Sequence, residues 1–192
     1  MFQEYEAIHC VGCGPSAKPW LEQLKVKPNV IGVNSMGPLL DPPFWVMVDP
    51  IKDSSIIQWA SSHEDVTYYC TRYNIEDLPP RNKLLMKTVG TRVMGDPWKD
   101  GFFMLRSSLI TAAHVAWTLG AERVIIWGLD MSNHDRCNGD RGEAWRNMES
   151  IREGWRRLRD GLRDLKCEVL NANPDSGITE LDFIEPGKAI GE

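Results

Sequence analysis

Long apolar stretches are missing from this sequence: none approaches the roughly eighteen residues of a membrane-spanning helix. The opening residues, MFQEYEAIHC, lack the positive-then-apolar pattern of a secretory leader, and the expected location is the cytoplasm. Positive charge is in deficit. Lys and Arg total 22 against 27 Asp and Glu, and the formal charge of -5 excludes a broad basic surface for duplex nucleic acid. The arginines gathered between 141 and 163 read as the solvated face of a helix, with a local basic patch as the alternative. Cysteines number five, an odd count that argues against a disulfide framework. Cys10 and Cys13 form one CxxC, but no second pair completes a four-cysteine zinc site. Three catalytic signatures are absent as well: the dinucleotide loop GxGxxG, the phosphate loop GxxxxGK[ST] and the nucleophile elbow GxSxG. Ordinary P-loop ATPase chemistry and serine-hydrolase chemistry are thereby disfavoured.

What is present is a chain of 192 residues, enough for one hydrophobic core, in which strand and helix patterns alternate. Short apolar runs predict strands at 7–11 (AIHCV), 30–34 (VIGVN), 44–48 (FWVMV), 66–70 (VTYYC), 83–87 (KLLMK), 123–130 (RVIIWGLD) and 167–172 (CEVLNA). Helical spacing predicts helices over 17–25, from 51 to 63, from 107 to 119 and over 144–165, with a last helical turn at 178–183. Ser107 or Ser108 caps the third of these and Gly120 ends it. Pro79, Pro80, Gly90, Gly95, Pro97 and Gly101 break up the stretch between. The expectation is a single α/β domain over 1–192, Rossmann-like, three-layered, with an open and mostly parallel sheet. A loop-rich insertion spans about 71–105 and a short lid about 131–143.

Open parallel sheets bind ligands beyond the carboxyl ends of their strands. The small and polar residues of this sequence gather at those ends. Gly12, Gly14, Pro15 and Ser16 follow the first strand; the glycines allow a tight turn, Pro15 suits a first helical turn, and Ser16 adds a hydroxyl beside unpaired amides, a combination that can hold phosphate. Asn34 offers a donor and an acceptor to a base or ribose. Asp49 can ligate a divalent metal or accept ribose hydroxyls. Ser107 and Ser108 place hydroxyls at a helix start. Gly128 and Asp130 end the central strand, where a carboxylate is costly unless paired or ligating. Asn173 and Ser176 follow the last strand. His134, in SNHDRCNGD, titrates near neutrality and reads as a general base with Asp135 to orient it, against the alternative of a solvated loop histidine. His9 and His114 read as satisfied core histidines, and His63 as a helix-end residue.

The ordered set VGCGPS, VNS, VMVDP, RSSLITAAHVAWTLGAERVIIWGLD and NANPDS resembles one superfamily. It includes bacterial CMP-sialic-acid-dependent sialyltransferases and archaeal-type 6-hydroxymethylpterin diphosphokinases, with compact phage-encoded members, for which the host cytoplasm would be the location. The resemblance implies a nucleotide at the carboxyl edge. In its sialyltransferase branch the glycine loop holds donor phosphate, while Asn34, Ser107 or Ser108 and the segment with Asn173 lie at the donor. There His134 takes the position of the catalytic base. In its diphosphokinase branch Asp49 helps bind Mg²⁺.

Three functions therefore stand side by side. The first is transfer from a nucleotide-activated, CMP-type sugar, with His134 and Asp130 as catalytic residues. The second is a Mg²⁺-dependent phosphotransfer from ATP, with Asp49 as metal ligand. The third is a non-catalytic nucleotide-sensing or interaction module.

Overall fold

The computed structural model describes residues 5–50, 53–63, 65–71, 83–89, 97–104, 107–131 and 148–192. Its first strand, β1 (Ala7–Val11), is buried at all five positions, as expected where helices cover both faces of a parallel sheet. Ile8 and Cys10 face one layer; Ala7 and Val11 face the other. The same division holds along β2 (Val30–Val33), β3 (Phe44–Met47) and β4 (Thr67–Cys70), while β5 (Lys83–Leu85) is an edge strand whose Leu84 and Leu85 are exposed. Two short strands, β6 (Thr88–Val89) and β7 (Phe102–Phe103), pair with each other. Then come β8 (Arg123–Trp127), β9 (Glu168–Asn171) and β10 (Asp182–Phe183).

The main sheet has eight strands in the order β5-β4-β3-β2-β1-β8-β9-β10, and every pair is parallel. The chain thus builds outward from β1 in one direction and later returns to extend the sheet on its other side. The reversal falls between β1 and β8. This is the α/β, Rossmann-like three-layer architecture expected from the sequence.

One face carries α1 (Leu21–Lys25), α2 (Gly37–Leu40), α3 (Ser54–Ser62) and α7 (Pro186–Gly191), which supply Leu24, Leu40, Ile56 and Ala189 to its two clusters. A short helix, α4 (Pro97–Asp100), leads into β7. The other face carries α5 (Ser108–Thr118) and α6 (Met148–Asp164). Leu109 to Ala116 of α5 are all buried, the signature of a helix enclosed on every side. Full burial of Leu109, Ile110 and Val115 stabilises the fold by about 1.5–3 kcal/mol each. In α6 the buried residues Ile151, Trp155, Leu158 and Leu162 keep the predicted three-and-four spacing. That helix ends with Lys166 in the left-handed region (φ 61) and the Cys167 amide donating back to the Leu162 carbonyl at 2.8 Å.

The segment 178–183 departs from its expected helical turn. Asp182 and Phe183 form β10 against β9, because the edge of β9 presents backbone groups that an extended neighbour satisfies and a helical turn does not. The last helix is α7, with Pro186 at its start and the Glu185 side chain accepting from the Lys188 amide at 2.8 Å. Of the loop-rich insertion, the described parts hold β5, β6, α4 and β7. Among the described residues no helix is long and apolar enough to cross a membrane.

Candidate functional site

The reversal between β1 and β8 is where an open sheet of this kind leaves a crevice at the strand ends. Here the two loops are stitched together. Gly12 N–H donates to the Trp127 carbonyl at 2.9 Å and Gly14 N–H to the Gly128 carbonyl at 3.1 Å, carrying the β1–β8 ladder past the strand ends. Gly14 is obligatory at this contact: a Cβ there would lie 1.9 Å from Asp130 Oδ2 and 2.3 Å from the Gly128 oxygen. Gly128 has φ +70, and a side chain on it would meet the Gly12 oxygen at 2.4 Å.

The stitching continues in side chains. The Ser16 amide (3.2 Å) and hydroxyl (2.9 Å) both donate to Asp130 Oδ2, and Asn173 Nδ2 donates to Oδ1 at 2.8 Å. The Asp130 carboxylate therefore occupies the donors that the sequence assigned to a phosphate. Asn173 has its other groups engaged too: its amide meets Asn171 Oδ1 and its Oδ1 receives the Asp175 amide. The Ser176 hydroxyl donates to the Leu129 carbonyl. Met131, next to Asp130, is held at φ 54, a strained conformation for an apolar side chain. Pro15 opens the 3-10 turn Pro15–Trp20, as its fixed φ suits. Gly12, Gly14, Pro15, Ser16, Gly128, Asp130, Asn173 and Ser176 are thus brought into one polar knot.

A second knot lies beyond the ends of β2 and β3, two and three strands from β8. Asn34 takes φ 52, tolerated by an asparagine, and its carbonyl accepts from Trp45 Nε1 at 2.6 Å. Its Nδ2 donates to Asp49 Oδ2 at 2.7 Å and to Ser108 Oγ at 3.2 Å, while its Oδ1 accepts the Val48 amide at 3.3 Å. The Ser108 hydroxyl in turn donates to Asp49 Oδ2 at 3.0 Å. Asp49 is exposed, so this arrangement opens to solvent. Ser107 is the N-cap of α5 but its side chain makes no capping bond. Between the two knots, Cys13 Sγ lies 3.0 Å from Ser35 Oγ. That bridge escaped the sequence reading, in which Cys13 counted only toward a CxxC.

Asp49 follows β3 and Asp130 follows β8, three strand steps apart, or about 14 Å at the usual spacing. They do not share one ion. Among the described residues no group of three or more His, Cys, Asp or Glu side chains could hold a metal by itself. His134, and the lid beyond Met131, lie outside the described residues.

Thiol chemistry gains nothing from the core cysteines. Burial pushes the Cys10 thiol far up, raises Cys70, and takes Cys167 to about 12 with help from Glu168 and Glu122. His114 is the satisfied core histidine the sequence suggested, its Nδ1 accepting the Phe103 amide at 2.9 Å. His9 is only half satisfied: Trp127 Nε1 donates to its Nδ1 at 3.1 Å, and its buried Nε2 has no partner among the described residues.

The chain matches no protein-family model and no curated protein sequence. The fold and the two polar knots carry the functional argument alone.

Proposed function

We propose that the protein is a nucleotide-dependent transferase acting on a nucleoside polyphosphate that enters with Mg²⁺. The supporting observation is the pair of carboxylate-anchored knots at the carboxyl edge, one built on the loops after β1 and β8 and the other on the ends of β2 and β3 with the start of α5. Their separation of about 14 Å suits an extended phosphate chain and its acceptor rather than a single ion. In this arrangement the nucleoside lies beyond Asp49, and the phosphates run across β2 and β1 toward Asp130.

The choice between transfer chemistries follows from charge. The glycine-loop donors are already filled by Asp130. Bare phosphates beside Asp49 and Asp130 would be repelled, whereas phosphates screened by a divalent cation are tolerated. Asp49 and the Ser108 hydroxyl, 3.0 Å apart, form the hard-oxygen pair that fits such a cation, with phosphate oxygens and water completing its shell. Mg²⁺ bound there would supply charge screening and polarisation of the phosphates. Asn34 orients Asp49 through its Nδ2. Asp130, gripped by three donors, is a positioning group that holds the β1 and β8 loops together at the acceptor end.

Calorimetric titration with ATP tests this. Binding should require Mg²⁺ and weaken at least tenfold in Asp49→Ala; equal affinity in chelator or in the variant overturns the reading.

Transfer from a CMP-type sugar is the second reading. The amino end of α5 favours it, since Ser107 leaves amides there without a side-chain partner and neutral donors hold phosphate without metal. Its catalytic base would be His134. Tight CMP binding in chelator would support this reading over the first.

A further inference from the structure

At the opposite, amino-terminal edge of the sheet lies a cavity of about 370 Å³. Its lining carries charges of both signs. The carboxyl end of α6 contributes Arg163 and Lys166, while the residues leading into β1 and β8 contribute Glu6 and Glu122, with Asp182 on β10 beyond them.

Other charges in the lining are already engaged. Arg123 donates to Glu168 Oε2 at 2.9 Å and also to Glu192, and Arg159 pairs with Asp160 at 2.8 Å. Arg163, Lys166, Glu6, Glu122 and Asp182 form no ion pair among the described residues. Two exposed cations and three exposed carboxylates thus share the lining of one cavity without pairing.

Two further features sharpen this. The Arg123 amide donates to the Glu6 carbonyl, and Ala7 is in register with Arg123, so Glu6 and Glu122 enter neighbouring strands side by side. Like charges in that relation repel. Lys166 stands at the left-handed position after α6, where glycine is the unstrained choice. A cationic group between the glutamates would answer their repulsion, and an anionic group would neutralise Arg163 and Lys166.

We propose that this cavity binds a small zwitterion, an ω-amino acid whose carboxylate meets Arg163 and Lys166 and whose ammonium meets Glu6 and Glu122. The site is separate from the carboxyl edge and does not depend on the transferase reading.

The test is an NMR titration of the ¹⁵N-labelled full chain with glycine, 4-aminobutyrate and 6-aminohexanoate, which set the two charges progressively further apart. Acetate plus butylammonium at the same ionic strength serves as the control. At least one of the longer zwitterions should saturate resonances of the cavity lining, while the mixed salts do not. Lys166→Gly keeps the fold testable, because glycine relieves the left-handed strain. It should raise the melting temperature by a few degrees while weakening binding at least tenfold. Saturation by none of the three zwitterions, or unchanged affinity in Lys166→Gly, would overturn the proposal.

Discussion

Acid should destabilise this protein through one residue, His9. Its imidazole is fully buried on β1, its Nδ1 is occupied by the Trp127 N–H, and its Nε2 has no partner among the described residues. Burial, with the nearby Lys27 ammonium second, lowers its pKa from 6.5 to about 3. Above pH 6.5 the ring is neutral in both folded and unfolded chains and the linkage is silent. Between 6.5 and 3 the unfolded chain binds a proton that the folded chain refuses, so stability falls as pH drops, by about 1.4 kcal/mol per unit. From pH 8 to pH 5 the loss comes to about 2 kcal/mol from this group, a sizeable part of a typical total of roughly 5–15 kcal/mol. The assay is urea unfolding at both pH values, for the parent and for His9→Gln, whose side-chain oxygen can still accept from Trp127. Other titrating groups cancel in the comparison. The variant should lose about 2 kcal/mol less than the parent over this range; parallel losses would refute the assignment of the acid sensitivity to His9.

The remaining predictions concern the loop after β1 and the thiols. Gly14→Ala should cost about 3 kcal/mol or more in urea unfolding, because its Cβ would meet a carboxylate and a backbone oxygen held in a stitched loop. Gly12→Ala should cost less, since its nearest obstacle is the Leu109 Cδ1, the end of a side chain that can turn aside at 2.7 Å; equal costs would contradict the stitched geometry. Iodoacetamide at pH 8 should label Cys13 before Cys10, Cys70 and Cys167, which are buried and have raised pKa values. Peptide mass mapping checks the order, and early labelling of any of those three would contradict it.

The sheet was legible because its strands are doubly buried and therefore read as short continuous apolar runs, AIHCV and RVIIW above all. Helices α5 and α6 were legible from spacing and end signals, Gly120 and the apolar steps from Ile151 to Leu162 among them. The two-residue strands were not, since β6, β7 and β10 carry no periodicity of their own and exist only through their partners. At the site, the carboxyl-edge rule selected the right neighbourhood but not the pairings. Asp130 filling the loop of Ser16 joins residues far apart in the chain, and nothing local in GCGPS announces whether its donors will meet a ligand or an internal carboxylate. The Asn34–Asp49–Ser108 knot was foreseen as three separate strand-end and helix-start residues; that they bond to one another is a product of the strand order.

That strand order also shapes how the chain is made. Within this sheet the central strand precedes the others in the chain, and its second neighbour is β8: Ala7 must wait for Arg123 before that side of β1 is paired. A chain emerging from the ribosome can assemble β1 to β5 early, yet it carries AIHCV as an open, apolar edge throughout. Such an edge invites pairing with another nascent copy. Synthesis rate and chaperone supply should therefore influence the soluble yield of this protein more than its finished stability does.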